Sequence, residues 1–448
     1  MGSKLNVAVI GGGWAGLAAA VELSATGAHV SVFEASKKLG GRARSVFSNG
    51  LTLDNGQHIL LGAYRETLRL MKTVGADPDQ LLKRLPLELN YPGSGFRMKL
   101  PRLPAPLNLA VGLLLATGCT LGEKFSAVRF MRGLQAKCYR LTADCSVAEL
   151  LDVNLQHGSL RRHLWEPLCL AALNTAPQNA SAQIFANVLR DSLGGCRDDT
   201  DLLLPAADLD QLFPRKAADF IQAHGGKIQL STRVERINSR LEIDDQTYDR
   251  IILAVAPQNA VRLLEGLTET AAVTSMLADY AYEPIGTAYV GYPPDLRLPC
   301  PMLGLDGNAD GGLGQWAFDR GTLLGEHGVM CFVLSAHGTW DESDSVSLVA
   351  RLHAELEAAL GRKLPQPSWH QVIRERRATF SCRPDLPRPA AQTPLRGLWL
   401  AGDYTCAEYP ATLEGAVRSG IAAARGAGRG IVPRCPFTPS PGPAPLGR

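Results

Sequence analysis

From Leu5 to Ile10 the chain reads Leu-Asn-Val-Ala-Val-Ile, an apolar run with the length and β-branched content of a buried strand. Gly11-Gly12-Gly13-Trp14-Ala15-Gly16 interrupts it, and the alanine-rich stretch from Leu17 to Ser24 then has helical composition. A second buried run, His29 to Phe33, completes a strand–helix–strand unit. Similar signals return much later. Leu212 to Ala223 reads as a helix, Lys227 to Ile237 as strands, and Arg250 to Pro257 as a buried strand ending in a turn. Leu398 to Leu400 reads as a short strand, and a helix opens after Tyr409. Strands alternating with helices predict a parallel sheet. The expected fold is α/β, with one domain assembled from residues 1–89, 209–267 and 395–431. Two insertions, 90–208 and 268–394, are left to build a second lobe of α+β type. A Pro-rich tail, 432–448, is expected to be disordered.

The glycines bring the first chemistry. Gly11, Gly13 and Gly16 fit G-x-G-x-x-G between a strand and a helix, the context in which that pattern indicates a dinucleotide site. The first permits a tight turn, the second lets backbone approach a pyrophosphate, and the third lets helix pack closely on strand. The helix N-terminus, with Ala15 in its first turn, offers unpaired N–H groups and a positive dipole end to phosphate. Glu34 follows the second strand, eighteen residues beyond Gly16. A carboxylate there accepts hydrogen bonds from both ribose hydroxyls of an unphosphorylated adenosine.

Leu39-Gly40-Gly41-Arg42-Ala43-Arg44-Ser45 comes next, and here the chain resembles the flavoprotein superfamily of amine oxidases, phytoene desaturases and protoporphyrinogen oxidases. That resemblance implies a Rossmann-like FAD-binding domain with an inserted substrate domain. It places Gly41 and Arg42 near the FAD pyrophosphate, where a guanidinium can bond bidentately. Ala401-Gly402-Asp403 and Tyr409-Pro410-Ala411-Thr412-Leu413-Glu414-Gly415 resemble the superfamily's final FAD motif. By that resemblance Gly402 and Asp403 meet the ribityl–phosphate region, and the helix opening at Thr412 and Leu413 points at the flavin pyrimidine. Its dipole favours negative charge on reduced flavin. Val234 matches a position that lies against the adenine.

Composition narrows the setting. The 448 residues are 46% hydrophobic and 20% charged, which describes a globular protein too long for one usual domain. A net charge of +3 gives no nucleic-acid footprint. Ten cysteines without a C-x-x-C pair and nine dispersed histidines offer no metal-ligand spacing, so no metal is expected. The start of the chain enters the first strand directly, and a reducing, cytoplasmic setting is expected. One G-x-G-x-x-G set leaves no second dinucleotide domain. The glycine-rich loop 304–314 lacks the strand-to-helix context, so electrons are expected from an external donor.

Residues 103–122 contain no charge. The length approaches a membrane span, yet Pro104, Pro106, Asn108, Gly112 and Gly118 argue against a regular spanning helix. A buried core helix, a membrane-dipping element and a transmembrane helix all remain open. Arg97, Lys99 and Arg102 on one flank, with Lys124 and Arg129 on the other, suit anionic head groups. Peripheral attachment to the cytoplasmic membrane is the expectation.

Asp54-Asn55-Gly56-Gln57-His58-Ile59-Leu60-Leu61-Gly62-Ala63-Tyr64 is similar to a segment of plant-type phytoene desaturases and closer still to the bacterial hydroxysqualene dehydroxylase family. Segments around Trp165 and Trp316 resemble the same family. The resemblance implies reductive loss of the hydroxyl from hydroxysqualene, giving squalene for hopanoid-type lipids, in an apolar tunnel suited to a long isoprenoid. It puts Gly56 and Gln57 beside the cofactor. Asp54, His58 and Tyr64 are catalytic candidates by position, since hydroxide loss needs an acid or charge stabilisation. Each also has a structural alternative: Asp54 holding a turn, His58 as hydrogen-bonded scaffold, Tyr64 as packing. A carotenoid-type desaturase and a non-catalytic prenyl-lipid binder remain alternatives for the whole chain.

Overall fold

In the computed structural model, which describes residues 4–306 and 313–429, five parallel strands form a central sheet. Their order is Lys227–Gln229, His29–Phe33, Asn6–Ile10, Arg250–Leu253, Leu398–Leu400. Val7, Ala8, Val9, Val30, Val32, Ile251 and Ile252 are all buried, as strands covered on both faces require. The helices Trp14–Ala25 and Leu413–Gly428 pack together on one face, and small residues set their separation. A Cβ on Gly420 would stand 2.1 Å from the Ala15 carbonyl oxygen. This arrangement puts the first and last glycine motifs at one edge of the sheet, beyond the carboxyl ends of the strands, where α/β sheets bind ligands.

The second lobe rests on an antiparallel sheet ordered Met302–Gly304, Trp316–Asp319, Val329–Ser335, Tyr282–Gly291, Trp369–Phe380. Alternation along Tyr282–Gly291 divides its two faces. Ala288 and Val290 join a core with Trp340 and Leu348, while Tyr289 joins the larger core shared with the first domain. Helices between residues 107 and 192 complete the lobe around the fully buried Trp165.

Two expectations are corrected. Only Lys227–Gln229 of the segment 227–237 is strand. Past it the chain peels away, with Ser231 at φ 54°, so that the Ser231 and Thr232 amides bond the Ser36 and Glu34 carbonyls. Residues 103–122 hold the short helix Leu107–Leu115 and the start of the next, Leu121–Ala136, and among the described residues no helix is long and apolar enough to cross a membrane. The short helix buries Leu109 and Leu113 but exposes Leu107, Leu114 and Leu115, so it is neither wholly core nor a span. The tail 432–448 and most of the glycine-rich loop 304–314 lie outside the described residues.

Candidate active site

A cavity of about 730 Å³ lies between the sheet edge and the second lobe. One end is built by the glycine turn. Gly11 has φ 108°, and a Cβ there would meet the Ala254 carbonyl oxygen at 2.3 Å. A Cβ on Gly16 would lie 1.9 Å from the Gly11 carbonyl oxygen, so Gly16 serves packing and does not line the cavity. Gly13 differs. Its nearest neighbour is Gly41 Cα at 3.8 Å, which leaves backbone open to the cavity. Gly13 also caps the first helix without a side-chain bond, so N–H groups of that first turn, Ala15 included, are free for an anion.

Glu34 lines the cavity, and each of its oxygens accepts one backbone amide, from Gly12 at 2.7 Å and Ser36 at 2.8 Å. Lone pairs on both oxygens remain for ribose hydroxyls. Val234 is buried in the wall nearby.

Arg42 joins the two halves of the chain. Its Nη2 donates to Asp403 at 2.7 Å and its Nη1 to the Ala378 carbonyl at 2.7 Å. Burial disfavours the Arg42 cation, and the adjacent Asp403 more than restores it. Asp403 and Ala378 take two of the five guanidinium N–H groups, and toward a diphosphate Arg42 offers its charge and the N–H groups left over. Asp403 is itself buried and also accepts the Tyr404 amide. Gly41, Gly402, Thr412 and Leu413 share the wall, and the Thr412 hydroxyl caps the last helix by accepting the Gly415 amide at 3.1 Å. The residues fit a dinucleotide flavin on a further ground: Gln57 lines the cavity, yet its Oε1 is buried with no partner among the described residues.

The three catalytic candidates separate. His58 lines the cavity beside Gly56 and bonds the Gly56 carbonyl through Nδ1 at 2.8 Å. A carbonyl only accepts, so Nδ1 carries the proton and Nε2 keeps its lone pair. Burial holds this imidazole below its ordinary range, against the opposing pull of the Gly56 carbonyl. Tyr64 also lines the cavity, but its hydroxyl lies close to Thr412, which puts it at the cofactor end. Burial, with the Glu414 carboxylate close by, holds that phenol well above its ordinary value.

Asp54 departs from its expected role. It lies outside the lining, and its Oδ1 accepts the Ser45 hydroxyl at 3.1 Å and the Leu209 amide at 3.1 Å. Burial pushes its carboxyl up to about 6, against the lowering effect of the Leu209 amide. The carboxylate points into the scaffold, so Asp54 holds the turn.

The far end of the cavity is apolar, lined by Leu89, Leu164, Leu168, Met302, Trp316 and Phe318. Both tryptophan segments singled out in sequence reach the cavity, one through Trp316 itself and the other through Pro167, Leu168 and Ala171. Trp165 instead donates its indole N–H to Gln156 in the core. The Glu375–Thr379 stretch, which lines the cavity and supplies the Ala378 carbonyl, carried no sequence signal. It enters through a register shift opposite Glu283–Ile285, a bulge of the kind that re-aims a strand beside a site.

Residues 14–427 match the family described as "Flavin containing amine oxidoreductase". A relative named hydroxysqualene dehydroxylase from Rhodopseudomonas palustris is 30% identical over 442 residues, covering 94% of this chain and 97% of the relative. A zeta-carotene desaturase of Arabidopsis thaliana is 24% identical, covering 94% of this chain and 84% of its own. Among solved structures, a putrescine oxidase redesigned for cofactor binding superposes with a TM-score of 0.72 at 18% identity, covering 94% of this chain and 98% of its own.

Proposed function

This chain belongs to the flavin-containing amine oxidoreductase family and is an FAD-dependent oxidoreductase, and from that premise we propose that it reductively removes the hydroxyl of hydroxysqualene to give squalene for hopanoid-type lipids. The single observation that carries this reading is His58: one neutral imidazole, its tautomer fixed by Gly56, on the wall of a cavity whose far end is hydrocarbon. Once it has taken up a proton, its Nε2 donates to the oxygen of an alcohol, so that the carbon–oxygen bond breaks with the oxygen leaving as water while hydride arrives at carbon. A hydrocarbon polyene offers no oxygen to receive that proton, and a polar ring nitrogen buried unpaired costs about 1–3 kcal/mol. That disfavours a carotenoid desaturase. Glu34, Arg42, Asp403 and the open backbone at Gly13 are all in place, which disfavours a lipid carrier without redox work.

When bound and reduced by an external donor, FAD supplies hydride from N5. The chain's own residues do the rest. Leu89, Leu164, Leu168 and Trp316 hold the isoprenoid and exclude water. Protonation of His58 Nε2 would turn an acceptor into a donor. Activity is therefore expected to be full below the depressed His58 pKa and to fall as pH rises through it, below the ordinary 6.5. His58→Ala is expected to lower kcat/KM by roughly 10–100-fold, the loss of one hydrogen bond to a reacting group, and to abolish that pH dependence while FAD stays bound. Asp54→Asn should keep kcat/KM within a few-fold. Unchanged turnover in His58→Ala removes the residue from the mechanism. The reaction itself is tested by giving holoenzyme hydroxysqualene with a reductant and, in parallel, phytoene with a quinone. Squalene in the first supports the reading, and desaturated product in the second alone overturns it.

The same reading includes peripheral attachment to the cytoplasmic membrane face. Leu107, Leu114 and Leu115 are exposed on their short helix, and Leu121 and Phe125 on the helix Leu121–Ala136 that packs against it. Leu155 adjoins them, its carbonyl held by Ser126. An exposed apolar patch of this kind marks an interaction surface. The expected cations are partly spent: Arg97 and Lys99 pair with Glu88, and Lys124 caps the Leu114 and Ala116 carbonyls. Arg102 and Arg129 remain exposed at the rim. Holoenzyme is expected to co-sediment with anionic vesicles, and Leu115→Asp with Phe125→Asp should abolish this without loss of FAD. Equal sedimentation of the double variant contradicts the attachment.

A further inference from the structure

We infer that Arg320 is a positioning residue which, with Tyr289, braces the end of the strand Leu51–Asp54 and so fixes the Asn55–His58 loop against the cavity. The inference rests on the role proposed for His58.

Arg320 stands in the Asp319-Arg320-Gly321 run of the Trp316 segment and is among the most deeply buried side chains, at 1% exposure. Its neighbour Asp319 is spent on local work, capping the short helix Arg320–Leu324 through the Thr322 amide and accepting the Leu298 amide. The guanidinium bonds outward in two directions. Nε pairs with Glu326, and Nη2 donates to the Thr52 carbonyl at 3.3 Å. The group lies over the Tyr289 ring, 5.2 Å from its centroid, and the Tyr289 hydroxyl donates to the Asp54 carbonyl at 2.8 Å. Thr52 and Asp54 are alternate residues, so both carbonyls point to one edge of the strand. Among the described residues that strand pairs with Ser45–Ser48 alone. Its other edge is held by these two side chains.

The next residues are Asn55, Gly56, Gln57 and His58, all in the cavity wall. Gly56 fixes the His58 tautomer, so the height of this backbone sets where Nε2 meets a substrate. Burying a guanidinium is expensive, and an apolar residue of similar size would fill the space at lower cost. Arg320 nevertheless leaves Nη1 buried with no partner among the described residues. What a planar fork supplies, and an apolar side chain or a single ammonium does not, is a fixed angle between Glu326 and the Thr52 carbonyl.

The experiment compares FAD-loaded wild type with Arg320→Lys and Tyr289→Phe, each made also in the His58→Ala background. Tyr289→Phe removes one hydroxyl and guards against a Lys variant that does not fold. Two readouts are taken: kcat and KM for hydroxysqualene, and the NMR signals of isotope-labelled histidine. With His58 present, each substitution is expected to lower kcat about tenfold with KM and FAD content little changed, and to shift the His58 ring signal. In the His58→Ala background the same substitutions should lower kcat no further, because residues that act through one group are not additive. Equal losses in both backgrounds, or a His58 signal superimposable on wild type, overturn the inference. Should wild type form no squalene, the proposed reaction falls, and the His58 signal still decides the brace.

Discussion

Gly16→Ala is expected to give a protein that no longer retains FAD. The added Cβ would stand 1.9 Å from the Gly11 carbonyl oxygen and 3.0 Å from the Ala254 Cβ, and the first of these is backbone that cannot swing aside. The helix Trp14–Ala25 must then lift from the turn. Overpacking of this kind costs about 1–3 kcal/mol. The displacement also moves the free N–H groups at Gly13 and Ala15 that suit a diphosphate. A hundredfold loss of FAD affinity corresponds to about 2.8 kcal/mol, and the two effects together should reach it. Gly133→Ala is the control, since nothing lies within 4 Å of a Cβ there and the residue sits within a helix. That change should raise stability by about 0.5–1 kcal/mol. The flavin absorbance of the purified variants and titration of apoprotein with FAD measure both. A yellow, fully loaded Gly16→Ala protein contradicts the geometry of the turn.

Glu414→Ala carries the second large effect, on stability. Glu414 is fully buried in the first turn of the last helix. It accepts the Glu66 and Thr67 amides at 3.2 and 2.9 Å, the Thr67 hydroxyl at 2.8 Å and Arg418 Nε at 2.7 Å. One carboxylate thus caps the helix Arg65–Thr73 and ties it to the C-terminal motif beside Tyr64 and Thr412. Removing one member of a buried ion pair typically costs about 3–5 kcal/mol. Arg418 is partly solvated and regains water, so about 3 kcal/mol is expected. Glu414→Gln, which keeps an acceptor oxygen, should lose less than half as much. Denaturant midpoints of the loaded proteins check this, and an unchanged midpoint for the Ala variant refutes the tie.

The features that were legible in sequence are those fixed by local spacing. Gly11, Gly13 and Gly16 sit between a strand and a helix because turn and packing demand glycine at those three places, and the demand is written within a few residues. Arg42 and Asp403 were legible one at a time, each as a group for the cofactor. Their pairing was not, because 361 residues separate them and only the folded sheet brings them together. Asp54 was misread because closeness in sequence to the His58 loop says nothing of side-chain direction, and its carboxylate turns back onto Ser45 and Leu209. Residues 230–237 continue the run read as strand, but the amides of Ser231 and Thr232 find partners beyond Phe33, off the sheet. Residues 103–122 lack charge throughout, so composition did not separate exposed positions from core. The helix period did, turning Leu109 and Leu113 inward and Leu114 and Leu115 outward.

The identity of the atom that replaces the leaving hydroxyl tests the central claim most directly. Wild-type protein loaded with FAD, reduced anaerobically in deuterated water and given hydroxysqualene, should yield squalene one deuterium heavier, at the carbon that bore the oxygen. Recovery of the intact alcohol, or of a product with an added double bond and no deuterium, contradicts the account.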